Sequence, residues 1–130
     1  MKSNLQIVAE HYAASARGDL AGMLADLSPQ AAWTEMAGFP CAGTWIGAAE
    51  VGTHVFAVLG RDWEDYTFVL ERLIDGGEEV VGIGSYSGTY RKTGKSMRAR
   101  ATHVWQLAGG RIVAFEQFTD TLLVARAMQA

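Results

Sequence analysis

The stretch "VWQLAGGRIVAFEQFTD", Val104 to Asp120, decides the fold. Apolar residues recur at every second position on both sides of Gly109-Gly110. Period-two alternation predicts strands, because successive side chains point to opposite faces of a sheet. A glycine pair between two such runs predicts a tight hairpin. Two further hairpin signals lie upstream, "DGGEE" at 75–79 and "KTGKS" at 92–96. Together they delimit four long antiparallel strands, roughly 63–74, 79–91, 96–108 and 111–119.

The period changes towards the amino terminus. Leu5, Ile7, Val8, Tyr12 and Ala16 follow helical spacing over Asn4 to Ala16. "DLAGMLADLS" then predicts a second helix, with Asp19 as its cap and Ser28-Pro29 as its end. A short strand is expected over Ala31 to Met36 and another over Thr44 to Ile46. "GAAEVGTHVFAVLGRD" predicts a third helix closed near Gly60, and "DTLLVARAMQA" a short final one. Helices first and a strand meander afterwards is an α+β layout, with the helices on one face of a curved sheet.

At 130 residues the chain is expected to be a single domain, 1–130, large enough for a real core. The net charge of −3, without a basic stripe, argues against nucleic acid or an anionic membrane as partner. The densest basic run, "YRKTGKSMRAR", straddles a turn and reads as a solvated hairpin tip. No apolar run reaches membrane length, and the amino terminus lacks a signal-peptide pattern, so the cytoplasm is the expected compartment. A single cysteine, Cys41, excludes a disulfide framework and a cysteine-rich metal site. His11, His54 and His103 fall on separate elements without ligand spacing, so no metal is expected.

One acid stands out. In "AAWTEMAG", Ala31 to Gly38, Trp33 and Glu35 share strand parity, so the face that takes the tryptophan also takes the carboxylate. A buried acid needs a reason. The strand 96–108 has a more apolar face, made by Met97, Ala99, Ala101, His103, Trp105 and Leu107. That face is expected to point inward, with His103 beside Trp105.

The order of elements resembles the nuclear transport factor 2-like superfamily, the SnoaL-like and ketosteroid isomerase-like domains. The resemblance is carried by "YAASARGDLAGMLADL" at 12–27, "AAWTEM" at 31–36, "IGAAEV" at 46–51 and "VWQLAGGRIVAFEQFTD" at 104–120. It implies a cone-shaped α+β domain whose curved antiparallel sheet and amino-terminal helices enclose a pocket. The superfamily's alignment implies that Val113, Phe115, Gln117 and Thr119 face inward, with Glu116 outside. It also turns Gly82, Gly84, Tyr86, Gly88 and Tyr90 inward, where the glycines would leave room for a ligand.

Laid on a ketosteroid isomerase, Glu35 falls on the general base. His103 falls on the carboxylic acid of the oxyanion hole, and His11 on its tyrosine, with the neighbouring Tyr12 as a substitute after a small helical rotation. The epoxide hydrolase triad of the superfamily is absent, because its positions read Tyr86, Gly84 and Gln117. The resemblance also implies homodimers formed through the outer sheet face, a small hydrophobic ligand, and chemistry without a cofactor.

An acid in an apolar pocket has a raised pKa and is a better base near neutrality. A developing enolate needs donors, which His103, His11, Tyr86 or the Gln117 amide can supply. Trp33, Tyr66, Trp105 and Phe115 offer a flat apolar surface for a ligand. Against this stand plainer roles. Glu35 is equally suited to a structural pair, His103 to a satisfied core position, and Cys41 to an inert thiol. Two functions follow: cofactor-independent proton transfer with Glu35 as base, of isomerase or cyclase type, or a non-catalytic binding or dimerisation module.

Overall fold

A computed structural model describes the whole chain, Met1 to Ala130. Helix α1 (Asn4–Ala16) opens on a capping box: Ser3 accepts from the Gln6 amide while the Gln6 side chain accepts from the Ser3 amide. Two otherwise free N–H groups are thereby satisfied. Its inner face carries Ile7, Val8, His11, Tyr12 and Ala14.

Helix α2 is a single turn, Leu20–Met23, capped by Asp19. The longer helix expected from the apolar spacing does not form, because Leu27 belongs to strand β1 (Leu27–Glu35), where it pairs with Ile112. Pro29 does not end a helix. It lies in β1 where the register shifts between Leu27 and Ala32, a place where a missing N–H breaks no ladder bond. Strand β2 (Gly43–Ile46) turns back against β1.

The third helical run comes in three parts: α3 (Gly47–Val51), a π-helical turn (Gly52–Phe56) and α4 (Ala57–Asp62). Gly60 lies inside α4 and does not close it. Strands β3 (Trp63–Asp75), β4 (Glu79–Tyr90), β5 (Ser96–Ala108) and β6 (Arg111–Thr119) follow, joined by the three expected hairpins. Helix α5 (Thr121–Met128) starts on an Asp120 cap.

The six strands form one open sheet in the order β2-β1-β6-β5-β4-β3. Every neighbouring pair is antiparallel except β1 and β6, which run parallel. Register irregularities in β1, β3 and the β5–β6 pair bend the sheet over the helices, as bulges do. No helix is long and apolar enough to cross a membrane.

Parity along β5 is as expected: Met97, Ala99, Ala101, His103, Trp105 and Leu107 are all buried on one face. In β6 the inward set is Ile112, Phe115 and Gln117, with Glu116 exposed. Val113 is only half-buried, and Ile112 takes the inward place expected for it. The cause is a bulge, since Leu107 pairs with Ile112 while Gln106 pairs with Ala114. One extra residue reverses the parity on its far side.

The inward glycines of β4 make room for the protein's own side chains. A Cβ at Gly82 would strike the Tyr12 hydroxyl, and one at Gly84 would strike the Val69 carbonyl and the Phe68 ring. At Gly88 it would press on Tyr66 and Trp63.

Candidate functional site

Between α1, the π-helical turn, α4 and the concave sheet face lies a cavity of about 550 Å³. The strand carrying Glu35 forms one wall, because Trp33 and Glu35 do point to the same side and are only 2% and 4% exposed. His11, Tyr12, Trp33, Glu35, Tyr66, Tyr86, His103 and Phe115 all line the space. Trp105 and Gln117 do not. Both are fully buried behind the wall and act on the side chains in front of them.

Glu35 has no compensation for its burial. Its Oε2 is enclosed and has no hydrogen-bond partner, and every ion pair of the molecule is elsewhere. The structural pairing open to it from sequence is not formed. Taking a carboxylate out of water penalises its charged form, and burial pushes the Glu35 pKa up to about 8. Roughly one molecule in ten would then carry the charge at pH 7. Two further buried polar atoms on the cavity wall lack partners, Trp33 Nε1 and the Tyr66 hydroxyl. Buried polar groups are almost always satisfied, so three unpartnered atoms around one space set this wall apart from the packed core.

His103 is held from both sides. Its Nδ1 lies 2.7 Å from Tyr12 Oη and its Nε2 lies 2.6 Å from Tyr86 Oη. Behind these, Trp105 Nε1 donates to Tyr12 Oη at 2.9 Å, and Gln117 Nε2 donates to Tyr86 Oη at 3.0 Å. The Gln117 amide is oriented in turn, because its Oε1 accepts from the Met36 N–H at 3.3 Å. Desolvation, with a smaller push from His11, lowers the His103 pKa to about 3, so the ring is neutral at pH 7. Desolvation also raises Tyr86 well above its ordinary value, with Glu35 adding to the effect.

His11 differs from His103. Its Nδ1 lies 2.9 Å from the Met23 carbonyl, so that nitrogen carries the proton and donates. Burial lowers its pKa to about 4 despite the carbonyl. The ring is neutral, its one N–H is committed, and its Nε2 is left with a lone pair. Helix α1 therefore sends two neighbouring side chains, His11 and Tyr12, to the cavity together. Their rings meet edge to face with centroids 5.2 Å apart.

The aromatic surface is broader than Trp33, Tyr66 and Phe115. Trp33 stacks on Phe115 with centroids 3.9 Å apart, Phe56 from the π-helical turn meets Trp33 at 5.8 Å, and Phe68 packs against His103 at 4.5 Å. Helical spacing alone does not single out Phe56, whereas strand parity in 63–74 places Phe68 with Tyr66. Cys41 is buried near Val55, and burial pushes its thiol up to about 12, where it is inert as a nucleophile. No cluster of His, Cys, Asp and Glu side chains suits a metal ion.

The whole fold recurs in solved structures. An NTF2-like protein from Burkholderia thailandensis E264 is 59% identical, with all of both chains covered and a TM-score of 0.99. An NTF2-like protein from Burkholderia pseudomallei K96243 is 32% identical, again over all of both chains, with a TM-score of 0.90. TerC, crystallised with polyporic acid, shares the fold at 21% identity, with 98% of each chain covered and a TM-score of 0.87. No functionally curated protein matches the chain. The family model of the SnoaL-like domain matches residues 8–115. With its cone-like sheet, buried acid and aromatic cavity, the chain belongs to the SnoaL-like domain family.

Proposed function

We propose that the cavity binds a small hydrophobic, carbonyl-bearing molecule and moves a proton on it without a cofactor, with Glu35 as the base. The observation that carries this reading is a carboxyl group buried on an aromatic wall with no partner of its own. Such a group is costly to the fold, and a catalytic base gives it a use. A solved structure of the same fold, TerC, was crystallised with polyporic acid, which supports a small-molecule role for a cavity of this kind.

The step balances simply. The Glu35 carboxylate takes a proton from the carbon beside the ligand's carbonyl, and the C–H electrons pass into an enolate. The enolate oxygen takes a hydrogen bond from a tyrosine hydroxyl of the His103 cluster. The protonated Glu35 then returns the proton at the far carbon of the double bond. His103 supports the donor from behind, since both its nitrogens are engaged. His11 presents an acceptor nitrogen to the ligand. Val69, Ile74 and Phe118 leave apolar surface exposed outside the cone, and two chains pair through that face.

The test is the rate of Glu35→Gln against the native protein on β,γ-unsaturated ketones. A loss of about 10²–10⁴-fold is expected for a general base. Equal rates remove Glu35 from the mechanism, and ligand binding without turnover in either protein assigns the cavity to a binding module.

A further inference from the structure

The hydrogen atoms of the Tyr12–His103–Tyr86 cluster can be counted. Tyr12 and Tyr86 each bring one hydroxyl hydrogen, and a neutral His103 brings one N–H. Those three hydrogens serve only two links, Tyr12 Oη to Nδ1 and Tyr86 Oη to Nε2. The outer partners take none of them, because the Trp105 indole and the Gln117 amide both donate inward. Gln117 cannot be turned round, since its oxygen is held by the Met36 N–H. One hydroxyl hydrogen is therefore left over, and the tautomer of His103 decides whose it is.

The two choices are unequal. If Nδ1 carries the proton, it donates to Tyr12, and the spare hydrogen belongs to Tyr12. That hydroxyl already meets the Trp105 indole, the His103 ring and the bare backbone of Gly82, and none of them accepts from it. A buried hydrogen would go unpaired, at a cost folded proteins avoid. If Nε2 carries the proton, Tyr12 donates to Nδ1 and is fully paired. The spare hydrogen then belongs to Tyr86, whose hydroxyl meets the His103 ring and the Gln117 amide without a third neighbour like Gly82, on a residue that lines the cavity with Glu35.

We propose that His103 stands in its Nε2–H form as a positioning residue, which spends the Tyr12 hydrogen on Nδ1 and leaves Tyr86 as the one hydroxyl of this cluster with a hydrogen for a ligand's oxygen. The assignment rests on the cavity being the ligand site, yet the tautomer is readable without any ligand. A ligand's oxygen then meets one hydroxyl hydrogen from this cluster, beside that of the unpartnered Tyr66.

Histidine-labelled protein tests this through long-range proton–nitrogen spectra at pH 7, with His11→Gln and His54→Gln variants assigning the signals. For His103 the expected pattern is a protonated Nε2 and a bare Nδ1. His11, donating from Nδ1 to Met23, should show the reverse in the same spectrum. Tyr12→Phe removes the only partner of Nδ1 and leaves Tyr86 beside Nε2, so His103 should keep its Nε2–H form. A bare Nε2 or a doubly protonated ring in the native protein overturns the proposal, as does an Nδ1–H ring in a folded Tyr12→Phe. The native spectrum decides the matter even if a variant does not fold. Loss of the Glu35 mechanism would leave this result standing, because the spectra involve no turnover.

Discussion

The hydroxyl of Tyr12 rests against the bare backbone of Gly82, on the strand opposite, so the helix and the sheet meet at a point with no space for a methyl group. Gly82→Ala should push that hydroxyl off both His103 and Trp105 and leave buried polar atoms unpaired. Denaturant unfolding should register a loss of about 2–4 kcal/mol. Gly60→Ala is the contrast, because nothing lies near a Cβ there and the residue is exposed within α4. Its stability should stay level or rise by up to about 1 kcal/mol. A harmless Gly82→Ala would mean that the close approach is not real.

The buried acid makes stability depend on pH in a definite direction. The folded pKa of Glu35, about 8, lies above its ordinary value of 4.5, so the folded state holds the proton more tightly than the unfolded chain. Relative to Glu35→Gln, the native protein should lose nothing below about pH 4.5, weaken progressively as the pH rises towards 8, and level off above that. The full difference should be on the order of a few kcal/mol. Unfolding curves of the two proteins at pH 4.5, 6.5 and 9 check this. A constant gap between them would show that the carboxyl is solvated.

Activity should run against stability. A base works when it is ionised, so kcat/KM on a β,γ-unsaturated ketone should climb with pH and bend over near 8, where Glu35 titrates in the free protein. A rate already flat between pH 6 and 9 would assign the proton transfer to another group. The same rise in pH is thus expected to quicken the reaction and to loosen the fold through one side chain.

The outer face gives a separate expectation. Val69, Ile74 and Phe118 are 62%, 47% and 42% exposed on strands whose other side is the cavity wall. Sedimentation should find a two-chain particle at micromolar concentration, and Phe118→Asp should shift it to one chain. A native particle of single-chain mass would leave the exposed apolar face without a partner.

Much of this was legible in the residues. The β5 alternation carries its own parity signal, and the shared parity of Trp33 and Glu35 placed the acid on a wall of the cavity, both because period two is local. Val113 escaped because a bulge depends on the pairing of two strands, and neither strand announces it alone. Leu24 and Leu27 fit helical spacing and overextend the second helix, because the Leu27 pairing partner lies 85 positions later at Ile112. The role of His103 depends on hydroxyls 91 and 17 residues away, and no local pattern can show which nitrogen meets which. For the same reason the choice between His11 and Tyr12 stayed open until the helix was packed, when both proved to face the cavity.

The parallel seam between β1 and β6 also sets a timetable. Trp33 and Glu35 are made early, but the strand that flanks them, with Phe115 opposite Trp33, comes near the other end of the chain. Closing so long a loop is slow, and during synthesis the acid stays wet and ordinary until β6 slots in beside it. The enclosed cavity is thus among the last parts of the molecule to exist, and a nascent chain holds Glu35 without it.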